Sequence, residues 1–271
     1  MALRTYYERH FPYEDLERYV TCNGKYPLCR REFAFRSSGD VFRRYETFST
    51  PEEARAMGYM EREEVPLHAK VPIRFGNMDI FKRYLVRTVP KSIEAGPVYD
   101  SIFTQAYDRR DPYTIKPCPV TFDLDIKDYD DVRPCDCKEK RLCNVCWVAC
   151  MRPALVDLVT FLTDHMRFTR VVALFSGRCG VHVIVADERV WTWDDGARAL
   201  LATYLPRSVR VDKAVLRTDH LVKIPFSPHA ATEKIALPIL DMHTFLPSAD
   251  AVGVDGDLEI YLSEWRRKIL S

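Results

Sequence analysis

The sequence predicts an α+β (mixed α/β) fold in which central mixed or antiparallel sheets are flanked by helices. The 271 residues are 47% hydrophobic and 29% charged, as in an ordinary globular protein with a sizeable core. Apolar runs typical of strands alternate along the chain with apolar residues at helical spacing. We find no internal repeat and no low-complexity segment, and we therefore expect one compact domain over 1–271.

Turn residues and prolines define the elements of the N-terminal half. Ser, Gly and Asp between two apolar runs favour a hairpin, and a proline followed by two acids favours the first turn of a helix. The predicted elements are a helix over the first twenty residues that is interrupted near Pro12, hairpin strands at 31–35 and 41–48 around a turn at 37–40, a helix opening at Pro51, and weak strands at 71–75 and 97–103.

The C-terminal half carries clearer periodicity. Leu155, Val159, Leu162 and Met166 recur at helical spacing. The other segments are short apolar runs bounded by turn residues, or polar-faced runs that begin with an aspartate. The predicted strands are 120–126, 171–175, 181–186, 209–212, 220–225 and 235–239, and the predicted helices are 147–166, 194–205 and 257–270.

The charge balance and the first residues exclude some classes of protein. Forty basic and 39 acidic residues leave a net charge of +1, so no global positive field indicates nucleic-acid binding, although a local basic cleft fits that balance. No apolar run approaches the roughly 20 residues that span a bilayer. The start, MALRTYYERHF, lacks the apolar core of a signal peptide. We therefore expect neither a membrane protein nor a secreted one.

Five of the nine cysteines fall within sixteen residues. Clustered cysteines in a chain without a leader indicate a metal in a reducing compartment rather than a disulfide framework. Cys135, Cys137, Cys143 and Cys146 place four thiolates within twelve residues and end in Cys-x-x-Cys, a pattern that favours tetrahedral zinc. Because four cysteines fill the coordination shell, we predict a structural zinc site in a small insert at about 133–147.

The sequence also suggests roles for residues near this cluster and for the remaining cysteines. Cys150 lies four residues after Cys146 on the predicted helix and could replace a ligand. The charge of a four-thiolate site would be partly offset by three basic residues, Lys138, Lys140 and Arg141. Three further cysteines are assigned to the core: Cys22, Cys29 and Cys118.

Asp123 and Asp125 stand two residues apart on the predicted strand 120–126. Side chains at that spacing project from the same face, roughly 6 to 7 Å apart. Paired carboxylates are costly to bury unless cations neutralise them, and they suit a two-metal site for phosphoryl chemistry. A bare Asp-x-Asp is more often only the polar face of a strand, so this pattern alone is weak evidence.

The turn 176–180, with sequence Ser-Gly-Arg-Cys-Gly, joins two apolar strands. Its glycines let the backbone approach a ligand, and exposed amides in such a turn attract anions. Arg178 suits phosphate oxygens, His182 can donate to the same group, and Ser176 opens the turn. An ordinary hairpin is the alternative interpretation of these residues.

Three more residues, which lie further along the chain, extend this set of candidate site residues. Asp212 ends the predicted strand 209–212 and could be a third metal ligand, while Lys223 and His229 could contact a triphosphate. Each alone reads as a surface residue. Together with the acid pair and the turn they comprise three acids for metals and basic groups for phosphates.

These motifs, in this order, resemble the catalytic small subunit of eukaryotic-type DNA primases, in the archaeo-eukaryotic primase superfamily. They span about 30–230. The motifs are REFAF at 31–35, DLD at 123–125 running into DYDDVR at 128–133, the zinc cysteines with Trp147, SGRxGVH at 176–182 and KxPFSxH at 223–229.

The resemblance implies the primase catalytic fold with a small zinc-binding knuckle. It implies synthesis of short RNA primers on a single-stranded DNA template by two-metal nucleotidyl transfer, with two Mg²⁺ or Mn²⁺ ions at Asp123, Asp125 and Asp212. Arg44 matches a family position near the nucleotide, and Glu32 matches a nearby acid whose role stays open. The residues implied to hold the incoming triphosphate are Ser176, Arg178, His182, Lys223 and His229.

The resemblance also implies partners and a compartment. The template and nucleoside triphosphates are the expected ligands, with a primase large subunit and a DNA polymerase or helicase as further candidate partners. The nucleus, or a viral replication compartment, is the expected location.

Two departures from the family pattern stand out. Cys179 occupies a position that is usually basic, which weakens the expected phosphate contact there. Only 29 residues separate His182 from Asp212, where eukaryotic members carry a long, mainly helical insertion, so this is a compact form.

Two rival functions remain at this point. A non-catalytic, zinc-bearing DNA-binding subunit of a replication complex explains the cysteines but not the acids. A metal-dependent glycosyltransferase explains the Asp-x-Asp pair but neither the cysteines nor the turn.

Overall fold

The computed structural model describes residues 2–37, 41–57, 67–68, 70–99, 115–116, 119–135, 137 and 142–270. The chain forms two compact units. Unit 1 comprises Met1–Cys118 and Thr218–Ala230, and unit 2 comprises Pro119–Arg217 and Ala231–Ser271. The predicted organisation as one domain over 1–271, with an insert at 133–147, stays a prediction.

Helices and antiparallel strands alternate through the described residues, which confirms the α+β class. The strands are β1 (Arg31–Arg36), β2 (Phe42–Arg43), β3 (Tyr45–Glu46), β4 (Val71–Pro72), β5 (Ser92–Tyr99), β6 (Ile115–Lys116), β7 (Val120–Asp125), β8 (Val171–Phe175), β9 (Gly180–Val185), β10 (Val222–Lys223) and β11 (Leu237–Pro238). The α-helices are α1 (Ala2–Thr5), α2 (Tyr13–Val20), α3 (Pro51–Ala56), α4 (Met78–Thr88), α5 (Asn144–Cys146), α6 (Arg152–Thr160), α7 (Asp195–Thr203), α8 (Pro247–Asp250) and α9 (Glu259–Trp265).

Shorter helical turns extend or connect these elements. Wider π-type turns follow α1, join α5 to α6, and follow α6 and α9 at Tyr6–His10, Trp147–Met151, Phe161–His165 and Arg266–Leu270. Tighter 3₁₀ turns lie at Leu28–Arg30, Ile126–Tyr129 and Glu188–Thr192.

The main sheet of unit 1 is antiparallel, with strand order β10-β5-β1-β2 and β6 paired to β5. Phe33 and Phe35 on one face of β1 pack against aromatic side chains, including Phe81 of α4 at a ring-centroid distance of 5.0 Å from Phe33. Both phenylalanines are buried. Because side chains alternate along a strand, the opposite face carries the even-numbered residues of β1.

The predicted N-terminal helices of unit 1 are confirmed. The predicted hairpin is confirmed only in part, because the segment 41–48 is divided into β2 and β3, and β3 pairs with β4 instead of β1. β1 pairs with β2, although residues 38–40 of the predicted turn lie outside the described residues. The N-terminal helix is interrupted at Pro12 as expected, and α3 has a capping box between Thr50 and Glu53.

Helix α4 is an element that the sequence analysis did not identify. It lies in the stretch where only weak strands were predicted. The sequence nevertheless contains two signals for this helix. Asn77 is a residue type that caps a first turn, as its side chain does here, and Phe81, Tyr84 and Leu85 recur at helical spacing.

Unit 2 is built on an antiparallel sheet with order β11-β8-β9-β7. All five residues of β8 are buried. The helix Asn144–His165 packs its apolar face into the core of this unit, with Trp147, Leu155 and Leu158 fully buried.

The helix Asn144–His165 corrects one sequence expectation. By length and composition it meets the test for a membrane span, whereas the sequence analysis found no apolar run of that size. This is weak evidence for a membrane, because a buried core helix of a globular protein passes the same test.

The prediction of a strand at 209–212 is wrong. The segment is instead held by polar contacts: Tyr129 donates its hydroxyl to the Ser208 carbonyl and accepts the Arg210 amide. The Arg210 guanidinium binds the Asp128 carbonyl at 2.7 Å and pairs with the Asp131 carboxylate. These contacts tie the segment to the loop that follows β7.

Candidate active site

Asp123 and Asp125 lie on one face of β7, as predicted from their spacing. Each side chain is 22% exposed. Phe122 and Leu124, on the opposite face, are fully buried. The apolar residues therefore anchor the strand in the core of unit 2, while both carboxylates remain accessible to a ligand.

Strand β9 supplies the neighbours of these acids. His182 pairs with Asp123 across the ladder, and its Nε2 lies 3.5 Å from Asp123 Oδ1. Gly180 pairs with Asp125. A Cβ atom at Gly180 would lie 2.7 Å from the Leu124 carbonyl oxygen, so this close approach of β9 to β7 requires glycine.

Asp212 reaches the same part of unit 2 through its backbone. Its amide donates to the Asp123 carbonyl at 3.1 Å, and its Oδ1 accepts the Ala214 amide at 2.9 Å. The third predicted acid is therefore tied directly to the strand that carries the first two.

The loop after β7 adds two charged residues that the sequence analysis gave no role. These residues are Lys127 and Asp128. The pKa of Asp128 is raised, mainly by burial and further by the neighbouring acids, and the charge of Lys127 only partly opposes this rise. Burial lowers the pKa of Lys127, but the net shift is upward because of four carboxylates: Asp125, Asp128, Asp123 and Asp212. We call these four acids the carboxylate cluster.

The turn 176–180 has a defined internal structure. The Ser176 amide donates to the Gly180 carbonyl at 2.9 Å, and the Gly180 amide donates to Ser176 Oγ at 3.2 Å. Gly177 adopts a φ of +94°, which favours glycine. The Ser176 hydroxyl thus shapes the turn, while Arg178 is partly exposed at its tip.

Neighbouring segments of unit 2 brace this turn. Thr232 donates its hydroxyl to the Gly177 carbonyl at 2.8 Å. The Cys179 carbonyl accepts the Ile126 amide, immediately after the acid pair, at 3.1 Å. The turn and the carboxylate-bearing strand are therefore held together at the same end of β7 and β9.

The remaining predicted residues lie in unit 1. Glu32 is fully buried; it pairs with the Arg44 guanidinium and accepts the Tyr99 hydroxyl at 2.7 Å. Burial lowers the pKa of Arg44, but the hydrogen bond and charge of Glu32 outweigh this effect and raise it overall.

Lys223 faces Glu94 across the β10–β5 pair. Burial raises the pKa of Glu94, and Lys223, Arg36 and Arg44 only partly oppose that shift. His229 is partly exposed after a loop in which Ser227 Oγ accepts the Ile93 amide at 2.8 Å. The sequence analysis missed Glu94, whose position opposite Lys223 depends on strand pairing between distant segments.

The predicted set therefore divides between the units. Unit 2 holds Asp123, Asp125, Asp212, Ser176, Arg178 and His182, and unit 1 holds Glu32, Arg44, Lys223 and His229. That these residues act on one nucleotide stays a prediction.

The four predicted zinc ligands lie together. The Sγ atoms of Cys135, Cys137, Cys143 and Cys146 are all within 4.8 Å of one another. The Arg133 guanidinium contacts Cys137 Sγ at 2.6 Å and Asp130 at 2.7 Å. Hydrogen bonds from the other three thiols, Cys135 foremost, and from Arg133 lower the pKa of Cys137 to about 6. This donor set fits a tetrahedral zinc ion.

Cys150 lies outside this group. Its thiol contacts the Val132 carbonyl at 3.8 Å, and the shift of its pKa is upward because it is buried. Cys22 is also buried and Cys29 is partly buried. Lys138, Lys140, Arg141 and Cys118 lie outside the described residues.

Comparison with known proteins points to one family. Residues 122–217 match the family model for the DNA primase small subunit. The DNA primase small subunit of Schizosaccharomyces pombe is 28% identical over 236 residues, which cover 83% of this chain and 44% of that protein. The one from Caenorhabditis elegans is 30% identical over 207 residues, covering 75% of this chain and 43% of that protein. The chain spans less than half the length of these curated relatives.

A solved structure supports the fold. The polymerase domain from Mycobacterium tuberculosis ligase D, in complex with DNA, aligns with 96% of this chain at a TM-score of 0.54 and 12% identity, and 93% of that domain is covered. At that identity the likeness concerns the fold alone. The resemblance inferred from the sequence motifs is therefore confirmed: this chain is similar to DNA primase small subunits.

Proposed function

We propose that this protein is a DNA primase, a nucleotidyltransferase that synthesises short RNA primers on a single-stranded DNA template. The observation that carries the proposal is that three acids lie on connected backbone segments. Asp123 and Asp125 share one face of β7, and the Asp212 amide donates to the Asp123 carbonyl. The kinship with primase small subunits selects primer synthesis among the reactions that such acids can serve.

Asp123, Asp125 and Asp212 would hold two Mg²⁺ or Mn²⁺ ions. Carboxylate oxygens suit these hard cations, and the cluster's excess of negative charge would favour them. When bound, such ions lower the pKa of an attacking 3′-hydroxyl and stabilise the pyrophosphate leaving group. The burial of Phe122 and Leu124 keeps both carboxylates oriented for that purpose.

The turn 176–180 would receive the triphosphate. Arg178 supplies a guanidinium suited to phosphate oxygens, and His182 can donate to the same group. The bracing of the turn against Ile126 supports this role, since it keeps the anion-binding backbone beside the acids. Cys179 offers no second cation, so Arg178 carries more of the phosphate contact here than in relatives with a basic residue at that position.

The resemblance assigns three residues of unit 1 to the triphosphate as well. Lys223, His229 and Arg44 supply positive or donating groups for the triphosphate. Glu32 would act on Arg44, because its buried carboxylate fixes the guanidinium.

Zinc would be structural. Cys135, Cys137, Cys143 and Cys146 fill a tetrahedral shell and leave no position open for a substrate. Arg133 would offset part of the charge of four thiolates.

A primase of this kind acts within a replication complex. A primase large subunit, and a DNA polymerase or helicase, are the proposed protein partners, with no membrane involved. The nucleus is the proposed location, or a viral replication compartment if the protein is viral.

The test is template-directed synthesis on single-stranded DNA without a primer, using labelled ATP or GTP with Mn²⁺ or Mg²⁺. Short labelled products that disappear in Asp125→Ala would support the proposal. Extension only of a supplied primer would make the protein a polymerase that needs a partner to initiate. No synthesis in either assay, with DNA binding retained, would favour the non-catalytic subunit, and transfer from a nucleotide sugar without template would favour the glycosyltransferase.

A further inference from the structure

Lys127 is placed to bind Asp125 twice. Its backbone amide donates to Asp125 Oδ1 at 2.9 Å, and its ammonium Nζ lies 3.9 Å from Asp125 Oδ2. The two oxygens of one proposed metal ligand therefore face two groups of the same residue. The Lys127 side chain is 49% exposed, so it can leave this position without unpacking the core.

The ammonium group places a positive charge beside Asp125. It acts on Asp123, Asp128 and Asp212 as well as on its nearest partner, Asp125. Carboxylates placed this close together repel one another, and a nearby positive charge reduces that repulsion when no metal ion is bound. The same charge opposes the entry of a divalent cation.

We propose that Lys127 is a built-in counter-ion of the carboxylate cluster that is displaced when divalent cations bind, and that it thereby sets the cation concentration the enzyme requires. This inference rests on the proposed metal site. It makes Lys127 a positioning residue, which acts through Asp125 and not on the substrate.

Mn²⁺ binding to the full chain, followed by the electron paramagnetic resonance signal of the free ion, tests the proposal. Lys127→Met removes the charge and keeps most of the side-chain length. A single charge at this range changes the affinity for a divalent ion roughly threefold to tenfold after screening by solvent and salt. We expect Lys127→Met to bind Mn²⁺ more tightly by that factor, and Lys127→Arg to stay within about twofold of the wild type.

Lys268→Met is the matched control. Lys268 also pairs with a carboxylate of unit 2, with its Nζ 4.0 Å from Glu264 Oε1, but that pair lies at the C-terminal end of α9 and outside the carboxylate cluster. This variant should bind Mn²⁺ as the wild type does. Unchanged or weaker binding in Lys127→Met would overturn the proposal, because a residue that only supports the structure would lower the affinity when replaced.

The variant Asp125→Asn distinguishes a failure of this proposal from a failure of the proposed metal site on which it rests. If Asp125→Asn binds Mn²⁺ as the wild type does, the metal site itself is overturned. If Asp125→Asn loses binding but Lys127→Met gains none, only the role of Lys127 fails.

Thermal unfolding gives a second, independent reading. Without metal, Lys127→Met should unfold at a lower temperature than the wild type, and excess Mn²⁺ should close that gap. A gap that Mn²⁺ leaves unchanged would contradict the proposal.

Discussion

The two units treat acidic residues on their sheets in different ways. In unit 1, Glu32 is fully buried but pairs with Arg44 and accepts the Tyr99 hydroxyl, and Glu94 faces Lys223. In unit 2, the four acids of the carboxylate cluster lie partly exposed around Lys127. Both acids of unit 1 face cations of the same unit, although these only partly offset the effect of burial on Glu94, whereas the acids of unit 2 retain an excess of negative charge that suits divalent cations.

This difference separates an acid that maintains structure from one that is available for chemistry. Removing a partner from a buried ion pair leaves an uncompensated charge and costs stability. Removing one member of an excess of like charges relieves repulsion and costs function instead. Substitutions in the two units should therefore affect different measurements.

The largest effect is expected at Asp123. Asp123→Ala should abolish template-directed synthesis, because a proposed metal ligand on the open face of β7 is lost, while the buried residues that hold the strand are unchanged. Labelled product on single-stranded DNA and the unfolding midpoint are the measurements. Asp164→Ala, at an exposed acid of the same unit, should leave synthesis intact. A folded Asp123→Ala protein with near-normal synthesis would make the site assignment wrong.

The next effect concerns the cysteine cluster. Cys143→Ser should lower the free energy of unfolding by several kcal/mol, because binding of a structural zinc ion contributes directly to folding. Zinc content by atomic absorption and the thermal midpoint, with and without chelator, measure it. Cys150→Ser changes a buried thiol outside the cluster and should keep the zinc. A Cys143→Ser protein with wild-type zinc content and midpoint would argue against a zinc site.

A smaller loss of stability is expected at Glu32. Glu32→Gln removes the charge that pairs with Arg44 while keeping an acceptor for the Tyr99 hydroxyl. The cost should be about 3 kcal/mol of unfolding free energy in denaturant titration, since breaking a buried pair strands its partner. Stability within experimental error of the wild type would show that the Glu32–Arg44 pair does not hold unit 1 together.

The smallest effect is a pH dependence at Glu94. Burial raises the pKa of its carboxyl, so the folded state binds the proton at a pH where the unfolded chain has released it. The free energy of unfolding therefore falls as the pH rises from the ordinary pKa of 4.5 through the raised one. Glu94→Gln should raise the thermal midpoint slightly at pH 7, and the gain should disappear near pH 4. A gain of equal size at both pH values would contradict this cause.

Short-range patterns account for the parts of the fold that the sequence predicted. The five apolar residues 171–175 form β8 as expected, and the two-residue spacing of Asp123 and Asp125 placed both on one face. Helix α4 was missed although its capping asparagine and helical spacing were present. The predicted strand at 209–212 failed because contacts from Tyr129 and Asp131, about 80 residues earlier, hold that segment.

The candidate site shows the same division. Four cysteines within twelve residues predicted their own cluster, since the ligands are close in the chain. The pairing of Glu94 with Lys223 and the contact of Asp212 with Asp123 depend on segments that meet only in the folded chain. The residues themselves and the resemblance to a family pointed to Asp212 and Lys223, but periodicity and spacing carried no information on their neighbours.

The most direct test of the contrast between the two units is anomalous scattering from crystals soaked in Mn²⁺ and a nucleoside triphosphate. We predict Mn²⁺ peaks bounded by Asp123, Asp125 and Asp212, and no peak beside Glu32 or Glu94. An absence of Mn²⁺ at the three aspartates, or a peak at the paired acids of unit 1, would contradict the claim that the excess negative charge of unit 2 binds the catalytic cations.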